Sequence, residues 1–131
     1  MSRRTVPVEA SEEPVVAHAD EAFIVLVKPV GWLSQPGKVQ SPDVCSWARE
    51  RAAPNALLVH RLDMETSGLM ILARGRDAQR RLGEAFRRRR VDKSYEAIVA
   101  GIPPRASGEI SLRQRLDVND RPRQVVDWLL G

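Results

Sequence analysis

Residues 60–69, His60-Arg61-Leu62-Asp63-Met64-Glu65-Thr66-Ser67-Gly68-Leu69, gather chemically capable groups at a spacing that matters. A carboxylate at the mouth of a strand, beside Arg61 and a turn rich in hydroxyls and backbone N–H groups, would stay ionised at neutral pH and aim into a cleft. That is what a nucleophile or general base needs. On its own, Asp63 keeps a second reading, because an aspartate between strands commonly bonds to the backbone of its own turn. His60 likewise reads as a packing residue as readily as a base. Cys45 is the single cysteine; it can form no internal disulfide, and without a second cysteine and several histidines nearby it completes no zinc site.

The elements that must position these groups follow from periodicity. Residues 1–13 are polar, acidic and aperiodic and are expected to form a disordered tail, with one ordered domain over 14–131. Residues 23–27 form a β-rich apolar run ended by Lys28-Pro29 and read as a buried strand. Residues 29–37 hold two Pro and two Gly around Trp32 and Leu33, a structured loop. Ser41-Pro42-Asp43 has the grammar of a helix start, with Ser41 as N-cap, and Val44, Trp47, Ala48 and Ala52 follow at helical spacing. Strands are expected over 57–62 and 69–73, joined by the polar turn 63–68. From Arg76, the spacing of Ala78, Leu82, Ala85 and Phe86 predicts an amphipathic helix whose other face is cationic. Further strands are expected over 93–100, 108–112 and 124–130. Strands outnumber helices and short turns join several of them, so the fold class is α+β: a largely antiparallel mixed sheet with flanking helices.

Charge divides the chain. Residues 1–72 carry 7 basic and 9 acidic side chains, whereas residues 73–131 carry 14 and 8, and 18 of the 21 cations are arginine. The planar arginine fork suits phosphate oxygens and base stacking, which makes nucleic acid the leading partner class, against the alternative of a merely solvated surface. Without a recognition-helix motif, a DNA-binding module is a weak reading. The longest uninterrupted apolar stretch, 22–27, falls far short of the roughly 20 residues that span a bilayer. No signal-like run follows the N-terminal arginines, so membrane and secreted readings drop out and a cytoplasmic location is expected.

The segment 60–69 resembles the His-Arg-Leu-Asp-x-x-Thr-Ser-Gly-Leu signature of the RluA-type RNA pseudouridine synthases, complete over its defined positions. Lys28-Pro29-Val30-Gly31, followed by Pro36-Gly37, is similar to that family's Lys-Pro-x-Gly loop, and Lys93-Ser-Tyr95-Glu-Ala97 is similar to its Lys-x-Tyr-x-Ala strand. Asp120-Arg-Pro-Arg-Gln-Val125 resembles the branch that modifies both ribosomal and transfer RNA.

The resemblance implies isomerisation of uridine to pseudouridine in structured RNA, with no cofactor and no metal. Asp63 would be the nucleophile and Tyr95 the active-site tyrosine near the uracil. His60, Arg61, Thr66, Ser67, Lys93, Arg87 and Arg88 would bind substrate and RNA. The target base must leave its stack to reach such a site. Complete members are expected to be monomers and to continue into a Gly-Arg-x-His-Gln-Leu-Arg-like motif whose arginine pairs with the catalytic aspartate. No such motif precedes Gly131, so the catalytic domain is expected to be incomplete at its C-terminus. The alternative is an inactive, RNA-binding remnant of such an enzyme.

Overall fold

The computed structural model describes residues 12–121 and 123–127. It resolves into two compact units, residues 1–93 and 94–131. The expected tail falls on residues 1–11, outside the described residues. Glu12 and Glu13 are described: the Trp32 indole N–H donates to the Glu12 carbonyl at 3.1 Å, and Arg51 pairs with Glu13 at 3.0 Å.

The first unit is built on a four-stranded sheet of β1 (Val15–Ala19), β2 (Phe23–Lys28), β3 (Ala56–Leu58) and β4 (Gly68–Arg74), in the order β1-β2-β4-β3. Every neighbouring pair is antiparallel. The sole parallel element among the described residues is an isolated bridge between Leu33 and Asp43. Asp20 turns β1 into β2 by accepting from the amides of Ala22 and Phe23 at 2.8 and 2.9 Å, which holds its carboxyl below the usual range, the Phe23 bond leading and the His18 bond second.

Alternation in β2 buries Ile24, Leu26 and Lys28 on one face and leaves Phe23, Val25 and Val27 half-buried on the other. Ile24 and Leu26 meet Met70 and Leu72 of β4 and Val44, Cys45 and Ala48 of helix α1 (Val44–Arg51) in one apolar core. Burial raises the Cys45 thiol pKa, which keeps the thiol protonated and apolar in character. Helix α2 (Arg76–Arg87) packs against β4 and β3 through its half-buried Ala78, Leu82, Ala85 and Phe86. Its Arg76, Arg80, Arg81 and Arg87 are exposed, as the helical spacing required.

Three local expectations are corrected. The N-cap of α1 is Asp43, whose carboxylate accepts from Ser46 N at 2.9 Å; Ser41 instead donates its hydroxyl to the Gly31 carbonyl at 2.7 Å. The strand expected over 57–62 stops at Leu58, for reasons that lie in the site itself. In the second unit, residues 94–113 form no strand, so neither 93–100 nor 108–112 is β-structure. The pairing there is a hairpin of β5 (Gln114–Leu116) with β6 (Gln124–Val126), closed at one end by Asp117 N to the Arg123 carbonyl at 2.8 Å. An alternating stretch becomes a strand only where another backbone offers it ladder bonds, and β5 and β6 pair with each other rather than with residues 95–112. The expected strand 124–130 holds over Gln124–Val126, and residues 128–130 lie outside the described residues.

Candidate active site

Lys28 ends β2 with its side chain fully buried. An isolated ammonium in that position would be strongly unfavourable, but this one is saturated. Its three N–H donors reach the carbonyls of Pro29, Trp32 and Met64 at 3.0, 2.7 and 3.1 Å. Burial lowers the Lys28 pKa, partly opposed by the carboxylates of Glu65 and Asp63. Lys28 therefore sits beneath the loop 59–67 as a fixed positive charge facing two acids.

The Met64 carbonyl also accepts from Gly31 N at 2.9 Å, so both of its lone pairs are engaged, one from the end of β2 and one from the loop that follows it. Gly31 presents that N–H from a φ of +84°, a conformation costly to any residue with a Cβ. Two residues earlier, Leu62 is held from the same loop. The Ser34 hydroxyl donates to the Leu62 carbonyl at 2.5 Å and accepts from Leu62 N at 3.0 Å. One side chain thus satisfies both polar groups of a buried residue that lies on no strand. The loop that does this is itself anchored to the start of α1, through Leu33 N to the Pro42 carbonyl and Val44 N to the Leu33 carbonyl, both at 2.9 Å.

Asp63 lies between these two gripped residues. Its carbonyl closes a turn by accepting from Thr66 N at 3.0 Å. Its side chain is exposed, and among the described residues nothing hydrogen-bonds to the carboxylate. The reading of Asp63 as a residue whose side chain builds its own turn is therefore not what the structure contains: backbone makes the turn and leaves the carboxylate available.

His60 explains why β3 stops early. Its Nε2 accepts from Ile71 N at 3.0 Å, taking the place of a ladder carbonyl next to β4. The ring stacks on Phe86 of α2 with centroids 4.6 Å apart and planes 18° from parallel. Burial, and then the charge of Lys93, lower its pKa. A neutral ring with Nε2 as acceptor fits both facts. The packing reading of His60 accounts for its Nε2 bond and its stack on Phe86, while the ring remains half-buried rather than enclosed.

Among the other expected site residues, Arg61 and Ser67 are exposed and Thr66 is half-buried on the same loop. The Lys93 ammonium stands 5.9 Å from the Phe86 ring centroid. Arg87 and Arg88 both pair with Glu84 at the end of α2, whereas Arg89 and Arg90 have no ion-pair partner among the described residues. Tyr95 belongs to the second unit and is exposed there. Sequence reasoning left out Ser34 altogether and treated Lys28 only as the end of a strand and part of a loop motif. Buried polar side chains that serve backbone carry no periodic signal; the one hint is a lysine closing an apolar run. No group of three or more His, Cys, Asp or Glu residues able to hold a metal occurs among the described residues, and no helix there is long and apolar enough to cross a membrane.

Residues 22–126 match the family described as RNA pseudouridylate synthase. The dual-specificity RNA pseudouridine synthase RluA of Salmonella typhi is 39% identical over 123 residues, covering 92% of this chain and 56% of that protein. Its namesake from Escherichia coli K12 is 38% identical over the same length, and that of Vibrio cholerae is 38% identical over 112 residues, 85% of this chain and 46% of the relative. The chain spans about half the length of these curated relatives. Among solved structures, human RNA pseudouridylate synthase domain containing 4 aligns over 57% of this chain and 30% of its own, with a TM-score of 0.47 and 30% identity.

Proposed function

The chain belongs to the RNA pseudouridylate synthase family, and from that premise we propose that it isomerises uridine in structured RNA to pseudouridine with Asp63 as the nucleophile. The observation that carries this reading is the exposed Asp63 carboxylate, without a hydrogen-bond partner among the described residues, on a loop whose backbone is gripped at both adjacent residues. A reacting group gains rate when its approach is fixed beforehand, and a backbone held on each side fixes it.

The reaction breaks the bond from C1′ to N1 of the uracil and forms one from C1′ to C5; the proton displaced from C5 is balanced by the one gained at N1. No electrons are gained or lost, in keeping with the proposed absence of a cofactor and a metal. Tyr95 is proposed to lie by the uracil, and Arg61, Thr66 and Ser67 to contact the nucleotide. Lys93 and the arginines ending α2 are proposed to meet phosphates, Arg89 and Arg90 more strongly than Arg87 and Arg88, whose charge Glu84 already offsets. Ribosomal and transfer RNA are the proposed substrates, in keeping with the Asp120–Val125 resemblance and the dual specificity named for the relatives. A cytoplasmic monomer is the proposed working form.

Asp63→Asn keeps the shape of the side chain and removes its charge. Pseudouridine mapped by carbodiimide-stop sequencing is expected to disappear, while RNA affinity stays within about twofold because the phosphate contacts remain. Product formed at the unaltered rate overturns the role of Asp63.

A further inference from the structure

We propose that Ser34 is a positioning residue for Asp63: through its two bonds to Leu62 it sets the direction in which the Asp63 carboxylate leaves the loop. The inference rests on the reading of Asp63 as nucleophile and extends it to a residue outside the signature segment.

Three observations carry it. Ser34 is one of only two buried polar or charged side chains among the described residues, at 5% exposure, and its hydroxyl is used in full on one residue, donating to Leu62 O and accepting from Leu62 N. Reciprocal bonding of this kind copies a pair of ladder bonds in a segment that has no strand beside it. Leu62 is the residue immediately before Asp63, so fixing both of its main-chain polar groups fixes the peptide plane from which Asp63 departs. Finally, Ser34 is not itself adrift: Leu33 is tied on both sides to the start of α1 by Leu33 N to Pro42 O and Val44 N to Leu33 O. The helix therefore reaches Asp63 through Leu33, Ser34 and Leu62.

On the far side, the Met64 carbonyl is held by Lys28 and Gly31, but Met64 N makes no such reciprocal pair among the described residues. Without the Ser34 hydroxyl the loop would keep its C-terminal anchor and pivot about it. A pivot of this kind leaves the carboxylate present and RNA contacts intact, and lowers the fraction of complexes in which Asp63 faces the sugar.

The test compares Ser34→Ala, Ser34→Cys and Asp63→Asn in the full chain, with uridine-containing ribosomal and transfer RNA as probes, by single-turnover rate, RNA Kd and amide hydrogen exchange. Ser34→Ala is expected to lower the rate about 10- to 100-fold with Kd unchanged within about twofold. Exchange at Leu62 N should accelerate while the amides of Leu26 and Met70 keep wild-type protection. Ser34→Cys, nearly isosteric and a weaker hydrogen-bonding group, is expected to fall between wild type and Ser34→Ala. It carries the test alone if Ser34→Ala does not fold. A wild-type rate in both Ser34 variants overturns the proposal. So does a rate loss matched by equal acceleration at Leu26 and Met70, which would make Ser34 a stabilising residue only. If Asp63→Asn is inactive and the Ser34 variants are not impaired, the positioning role alone is lost. If Asp63→Asn turns over normally, or the unaltered chain forms no pseudouridine, the functional reading fails and this inference fails with it.

Discussion

Two stretches of this chain carry residues that suit a strand, an apolar run over 23–27 and an alternating one over 93–100, and they end differently. In β2, every second side chain from Ile24 to Lys28 is buried, because β1 and β4 flank it and α1 covers one face. In residues 95–112, Ile98, Ile102 and Ile110 stand almost fully exposed and the backbone lies on no strand. A strand-like composition is thus not by itself the cause of a strand. What converts it is a second backbone at ladder distance, and β4, distant in sequence, supplies that to β2.

The largest expected effect tests that contrast directly. Met70→Ala removes a fully buried side chain where β2 and β4 meet and should cost about 2–5 kcal/mol, whereas Ile98→Ala should change stability by less than about 0.5 kcal/mol. Urea denaturation of both variants decides it. A large loss from Ile98→Ala would mean that residues 94–112 are buried in the working protein.

A smaller effect sharpens the comparison at the place where a side chain stands in for a strand. His60 has a lowered pKa, chiefly from burial and then from Lys93, so between that lowered value and 6.5 the unfolded chain binds more protons than the folded one. Stability from this source is complete above pH 6.5 and falls as the pH drops through the window below it. Thermal unfolding between pH 7.5 and pH 5 should therefore be steeper for the wild type than for His60→Gln, which offers Ile71 N an oxygen that does not titrate. Equal slopes would show that His60 does not carry the acid sensitivity.

The smallest effect concerns the end of the first unit. Helix α2 closes with Arg89 N bonded to the Phe86 carbonyl and Arg90 N to the Ala85 carbonyl, a Schellman closure with arginine in place of the usual glycine, at φ +53°. Arg89→Gly should relieve part of the roughly 1 kcal/mol that a Cβ costs there, less the entropy that glycine adds to the unfolded chain. A melting temperature raised by a few degrees at most is expected. A lowered one would reveal a stabilising contact of the Arg89 guanidinium.

Much of the site is legible in the sequence. The polar turn that begins at Asp63, the cationic face of α2 and the two strands 23–27 and 69–73 follow from motif or periodicity, and each lies where the pattern puts it. The end of β3 is not legible, because residues 59–62, Val-His-Arg-Leu, keep the alternation of a strand, while the His60 ring takes the Ile71 N–H of β4 and the Ser34 hydroxyl takes both backbone groups of Leu62. The cap of α1 is misplaced by two residues for a related reason: Ser41 and Asp43 both suit an N-cap, and only the fold decides that Ser41 faces Gly31. Side chains that replace backbone partners escape pattern reading in general, since their partners are distant in sequence and of any type.

The pairing Lys28↔Gly68 has a consequence for the assembly of the sheet. Successive residues of a strand face opposite ways, so a slip of one residue between β2 and β4 would turn Lys28 outward and place Val27 beneath Met64. A misaligned sheet would then bury Val27 against three carbonyls with no donor to meet them, and would expose a loop without its anchor. The same ammonium that steadies the loop therefore penalises the wrong alignment, and the carboxylate of Asp63 becomes poised only in molecules whose strands have found their proper partners.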